Sequence, residues 1–133
     1  PPAAAPQAIV AEEPVNAGNQ GGGGGGDTLV MRISQDAWEG DAQYIVKVDG
    51  VQAGGVFTAR ALHRAGETDA VTLNGGWGAG AHTVTVDFLN DAYSGTAETD
   101  RNLYVDGIAF NGVDHSGLAR VQYSGGAQDY AFS

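Results

Sequence analysis

The stretch Asp27-Thr28-Leu29-Val30-Met31-Arg32-Ile33-Ser34 decides the fold. Leu29, Met31 and Ile33 alternate with Thr28, Arg32 and Ser34. A period of two puts the apolar set on one face of an extended strand and the polar set on the other. The same rhythm returns downstream: Tyr44, Val46 and Val48 alternate with Lys47 and Asp49, and Val84, Val86 and Phe88 alternate with Thr83, Thr85 and Asp87. Further short strands are expected over 103–110, 118–123 and 128–132. Asp49-Gly50 supplies a hairpin turn into Val51, and Gly54-Gly55, Asn74-Gly75-Gly76, Asn111-Gly112 and Ser124-Gly125-Gly126 punctuate the rest. No window carries the i, i+3, i+4, i+7 stripe of a helix. Seven or eight short strands in the span 27–133 predict an all-β fold, an antiparallel, jelly-roll-like β-sandwich. Two packed sheets give every strand a place to bury its apolar face.

Upstream of Asp27 the chain changes character. Residues 1–26 begin with a proline- and alanine-rich leader and end in six consecutive glycines, Gly21 to Gly26. That Gly/Pro-rich N-terminal extension has the composition of a linker. The other reading is a donated strand: Ile9, Val10 and Val15 add to the sheet edge of a neighbouring copy, with the hexaglycine as hinge. A head-to-tail contact of that kind does not close on itself, so it would build a homopolymer, an extracellular fibre.

The chain has 133 residues, six basic and sixteen acidic side chains, and a net charge of −10. A nucleic-acid backbone is met by clustered Lys and Arg, and so is an anionic membrane surface, so neither is expected as a partner. No apolar run approaches the ~18 to 20 residues of a membrane helix. Cysteine is absent, which removes disulfides, thiolate nucleophiles and sulfur metal sites. The acidic, Gly-, Thr- and Asn-rich make-up leans towards a secreted, extracellular protein.

The informative acidic residues sit in two connections, 34–41 and 90–102. The second is a thirteen-residue loop, and loops of that length without their own structure tend to be functional. Each follows a strand whose apolar face points inward, so both are expected at one end of the sandwich. Asp36, Asp41, Asn90, Asp91, Asp100 and Asn102 are oxygen donors of the kind Ca²⁺ takes, with glycines free to turn main-chain carbonyls inward. The plain alternative is a solvated acidic rim. Zn²⁺ is disfavoured, because His63, His82 and His115 show no ligand spacing. Asp49 and Asp87 are expected merely to keep a strand face wet, and Arg101 to pair with a carboxylate.

As a set, the segments DTLVMRIS (27–34), DAWEGDAQY (36–44), VKVDG (46–50), GWGAGAHTV (76–84), FLNDAY (88–93) and DRNLYVDGI (100–108) resemble calcium-dependent xylan-binding modules. These are carbohydrate-binding module families 36 and 60, appended to secreted bacterial xylanases. The resemblance implies a calcium ion that is part of the sugar site, completed by two adjacent hydroxyls of a pyranose. Its carboxylate pair and main-chain carbonyl resemble Asp36, Asp41 and Gly40. A second, structural calcium is also implied, with Asn90, Asp91, Asp100 and Asn102 as its candidates.

Aromatic rings stack on the C–H faces of sugars. Trp38 and Tyr93 lie in the two acidic loops and are the expected platforms, with Glu39 beside them as a ligand contact. Trp77, in a glycine turn, is either a sugar contact or a hairpin tryptophan folded back on the core. Catalysis is set aside. A glycosidase needs two carboxylates facing across a cleft, for which so short a chain leaves little wall, and no serine sits in a nucleophile elbow. The expectation is a non-catalytic, calcium-dependent polysaccharide binder.

Overall fold

The computed structural model describes residues 26–133. The expectations for the N-terminal extension, including a donated strand through Ile9, Val10 and Val15, fall on residues 1–25 and lie outside them. The described chain runs β1 (Asp27–Asp36), β2 (Gln43–Val48), β3 (Val51–Thr58), β4 (Asp69–Gly75), β5 (His82–Phe88), β6 (Ala92–Tyr93), β7 (Asp100–Phe110), β8 (Val113–Asp114), β9 (Arg120–Gln122) and β10 (Gly126–Phe132). One sheet has the order β4-β1-β7-β6, with β8 and β9 also paired to β7, and the other has the order β10-β5-β2-β3. Every strand pairing is antiparallel. The expected β-sandwich is the observed fold.

The alternation read from the sequence is the alternation of burial. Leu29, Met31, Ile33, Leu73, Leu103, Val105 and Ile108 line the inner face of the first sheet. Tyr44, Val46, Val48, Val84, Val86, Phe88 and Tyr130 line that of the second. Polar side chains also join the sheets. The Tyr130 hydroxyl donates to Gln122 Oε1 at 2.6 Å, and Gln122 Nε2 donates to the Val86 carbonyl at 3.2 Å. Burial pushes the Tyr130 phenol up to about 12.

Two features were not expected. Residues 69–75 form β4, which covers the edge of β1 from Asp27↔Gly75 to Ile33↔Asp69. And the β1–β7 register slips between Arg32↔Gly107 and Ile33↔Val105, which leaves Asp106 as an extra residue on β7. Such a bulge bends the strand and changes which side chains share a face. Upstream of it Leu103 and Val105 point inward; downstream Ile108 and Phe110 do.

The end of the sandwich where β1 begins is closed by Trp77, Asp27, Asn111 and His82. Trp77 is half-buried, tilted against Phe110 with ring centroids 6.3 Å apart, and packed on the core. This is the folded-back reading. It also explains Gly75, because a Cβ there would lie 2.6 Å from the indole.

Asp49 is more than a wet strand-end carboxylate. Its Oδ2 stands 2.6 Å from His82 Nδ1, and His82 Nε2 stands 2.6 Å from the Gly78 carbonyl. Both partners are acceptors, so both ring nitrogens must donate, and the buried ring is an imidazolium. The bond to Asp49, then that to Gly78, raise the His82 pKa against the opposing effect of burial. Burial pushes Asp49 up, but the Thr83 amide and His82 outweigh it and hold the carboxyl below its ordinary value.

Two outcomes are expected. The His82 value is raised on folding, so its contribution is complete below the ordinary imidazole value of 6.5 and fades as pH rises through the folded value. Denaturant midpoints measured between about pH 5 and pH 9 should therefore fall on the alkaline side, and His82→Gln should flatten that limb. Gly75→Ala should lower stability by about 1–3 kcal/mol through overpacking against Trp77, read as a shift in the same midpoint.

Candidate functional site

The two acidic loops meet at the opposite end, where β1 and β5 finish. Arg101, buried near the start of β7, holds them together. Its Nε and Nη2 donate to the Trp38 carbonyl at 3.0 and 2.6 Å, and Nη2 also donates to the Glu39 carbonyl at 2.7 Å. Nη1 donates to the Asn90 carbonyl at 2.5 Å. The expected carboxylate partner is replaced by main-chain carbonyls; the ion pairs among the described residues are His63–Asp106 and His82–Asp49. The physical reason is local. Glu39 (φ 55°) and Gly40 (φ 131°) turn the loop through positive φ, and the partly buried carbonyls at this turn need donors. The guanidinium fork supplies them. The backbone angle at Gly40 favours glycine, and a Cβ there would sit 3.0 Å from Arg101 Nη2 and crowd the guanidinium.

Amide side chains complete the junction. Asn90 Oδ1 accepts from the Gln43 amide at 2.7 Å, while its Nδ2 donates to the Asp41 carbonyl at 3.0 Å. Gln35, wholly buried, donates from Nε2 to Asp41 Oδ1 at 2.9 Å and to the Ala59 carbonyl at 2.9 Å. Its Oε1 accepts from the Ala42 amide at 2.7 Å. Asp41 is therefore exposed but held by one oxygen.

Asp36 closes β1 on the outer face of the first sheet, directly opposite Asn102. Its Oδ2 accepts from Asn102 Nδ2 at 2.9 Å and from the Tyr104 hydroxyl at 2.7 Å. Burial first, then donation to Asp36, push the Tyr104 pKa well above the ordinary phenol range. Asn102 is buried, and its Oδ1 has no hydrogen-bond partner among the described residues. The other such atom, Asp69 Oδ1, belongs to the start of β4, where Oδ2 receives the Arg60 and Ala61 amides.

Next to this pair lies a cluster that sequence reasoning did not single out. His63, on the 3₁₀ turn His63–Ala65, lies flat on Tyr104, with ring centroids 3.7 Å apart and planes 2° off parallel. Its Nδ1 is 3.0 Å from Ser34 Oγ, and Ser34 donates to Asp106 Oδ2 at 2.7 Å. The carboxylate accepts the serine proton, so Nδ1 of His63 carries the hydrogen and donates to Ser34. Serine, histidine and aspartate here do not form a hydrolytic triad. The hydroxyl is wholly buried and gives its proton to Asp106, whereas a nucleophile must be exposed and give it to the imidazole.

Two exposed aromatic rings lie on the side of β7 away from β1. Leu103 pairs with Gln122, and Tyr123 follows directly after the end of β9; Tyr93 pairs with Asp100, two residues from Asn102 along β7. Tyr93 is 64% and Tyr123 63% exposed. Tyr93 was anticipated, and Tyr123 was not. Trp38 is half-buried with its carbonyl gripped by Arg101, and Glu39 faces solvent in the same loop.

The sequence candidates thus fall into two groups. Asp36 and Asn102 stand together; Gly40, Asp41 and Asn90 stand together at the loop junction. Asp91 is exposed near Gly125, and Asp100 begins β7. Among the described residues no three His, Asp or Glu side chains gather round one point. A cation here would draw on amide and main-chain oxygens as well as carboxylates. The donor set fits that demand, since its atoms are all oxygen. The buried Asn102 Oδ1 beside a carboxylate is an acceptor that lacks its partner, which suits a hard cation such as Ca²⁺.

Residues 28–124 match the family model of CBM60, described as a Ca-dependent carbohydrate-binding module, xylan-binding. Among solved structures, the chain is similar to the selenomethionine form of vCBM60, described in work linking two families of calcium-dependent carbohydrate binding modules by circular permutation. The two share 15% identity over 79% of this chain and 90% of that one, with a TM-score of 0.53. That likeness speaks for the fold. A comparison with curated proteins finds no match. On the family match, which spans most of the sandwich, the chain belongs to the CBM60 family of carbohydrate-binding modules.

Proposed function

We propose that this module binds a xylan-type polysaccharide without catalysis, with Ca²⁺ shared between protein and sugar, and that it works outside the cell where such polymers lie. The observation that carries the reading is the Asp36–Asn102 pair. One Asp36 oxygen is committed to two donors, and a buried, unpartnered amide oxygen lies beside it on the outer side of the same sheet. When bound, the ion supplies a strong local field for which two adjacent sugar hydroxyls are ligands of matching geometry.

The chain's own residues do the rest. Asp36 and Asn102 provide oxygens from adjacent strands, so their separation is set by the sheet and not by a loop. Asp41, held through one oxygen by Gln35, presents its other at the loop junction. Gly40, Asp91 and Asp100 are the remaining candidates for completing a coordination shell. Asn90 braces the loops through both ends of its amide. Tyr93 and Tyr123 offer ring faces to the C–H side of a pyranose, and Trp38 and Glu39 border the same loops.

Retardation of the protein in a xylan-containing gel should disappear in EDTA and return with added Ca²⁺. Asp36→Ala should abolish the calcium-dependent part. Retardation that persists unchanged in EDTA would sink the ion-mediated reading. At saturating calcium, Tyr123→Ala should weaken xylan binding by about 1 kcal/mol, roughly fivefold, through lost stacking. Titration calorimetry of xylo-oligosaccharide checks this; an affinity equal to wild type would remove Tyr123 from the sugar surface.

A further inference from the structure

His63 belongs to neither acidic loop, yet it is built into the same face. The chain around it is pinned to β1: the Gln35 amide donates to the Ala61 carbonyl at 3.0 Å, and Gln35 forms an isolated parallel bridge with Leu62. Glu67 Oε1 accepts from the Leu62 amide at 3.0 Å, which closes the segment behind the ring. Ser34 is held by Asp106, the residue that the β7 bulge leaves over, and Ser34 in turn receives the His63 Nδ1 proton. The imidazole is thereby tethered through Nδ1, with its plane parallel to the Tyr104 ring.

Tyr104 touches Asp36 through a single atom. A phenol hydroxyl at 2.7 Å from Oδ2 determines where that oxygen points only if the ring carrying it cannot swing. The stacked His63 removes that freedom on one side of the ring. With Oδ2 committed to Tyr104 and Asn102, Oδ1 is the carboxylate oxygen left without a hydrogen bond among the described residues.

We propose that Tyr104 and His63 form a positioning unit for Asp36. The imidazole, tethered by Ser34 and Asp106, holds the phenol that turns Asp36 so that Oδ1 is left for the ligand. The proposal rests on the ion-mediated reading above and adds to it two residues outside the oxygen-donor loops. Partners that orient a metal-binding carboxylate in this way typically change metal affinity by 10- to 100-fold when removed.

The test is calorimetric titration of CaCl₂ into the metal-free protein, with no sugar present, alongside thermal unfolding in EDTA and in excess Ca²⁺. Tyr104→Phe keeps the ring and removes the hydroxyl; it should weaken Ca²⁺ binding by about tenfold. His63→Ala should weaken it in the same direction, and His63→Phe, which keeps a ring against Tyr104, should recover most of the loss. The stabilisation gained on adding calcium should shrink in Tyr104→Phe and His63→Ala, a change that a merely structural role would not produce. Wild-type-like calcium titrations for Tyr104→Phe and His63→Ala would overturn the positioning unit while leaving the ion-mediated reading intact. Failure of the wild-type protein to take up Ca²⁺ would overturn both.

Discussion

The organisation of the site depends on a buried guanidinium whose hydrogen-bond partners among the described residues are carbonyls and not carboxylates. Arg101 takes the carbonyls of Trp38, Glu39 and Asn90 and thereby draws two sequence-distant loops to one point. A buried charge without hydrogen-bond partners is strongly unfavourable, and so are buried carbonyls without donors. Here each answers the other. Because the clamp is a covalent part of β7, the loops are already gathered before any ion arrives. The proposed cation would then have no need to assemble the end of the sandwich, and the cost of ordering the loops would not fall on its binding.

The clamp also divides the acidic residues by task. Carbonyls turned inward at 38 and 39 are occupied by nitrogen donors, whereas Asp36 and Asn102 lie on the outer face of the sheet, beyond the clamp. Asn90, placed by its sequence position among the oxygen donors, has both ends of its amide engaged with the backbone. The oxygens that remain open belong to residues on or next to regular strands. Positions on regular strands are more precisely held than loop positions, which would suit the hydroxyl-chelating ion proposed above.

The sandwich was legible because its strands alternate so regularly: Leu29, Met31 and Ile33 all point where a period of two sends them. β4 was missed because Asp69 and Asn74 blur a short apolar alternation, and its place is set by pairing to β1. That Asp36 and Asn102 are oxygen donors was legible from their chemistry, but the sequence placed them in two loops and in separate groups, and only the register of β1 with β7 sets them opposite one another. Arg101 defied expectation because charge invites a carboxylate, while the decisive partners were carbonyls exposed by two residues of positive φ. Tyr104 had a signal in the alternation of Asn102, Tyr104 and Asp106 along one strand. His63 had none, since nothing in the spacing of residues 34, 63 and 104 says that a turn will fold over the outer face. Tyr123 became visible only through the register of β7 with β9.

The extra residue at Asp106 has a consequence of its own. Along β7, odd-numbered side chains face the core before it and even-numbered ones after it, while β1 keeps one parity throughout. The strand therefore behaves like a text with a one-letter frameshift, read in one phase at the loop end and in another at the tryptophan end. The loop end and the tryptophan end thus draw their core side chains from opposite parities of a single strand.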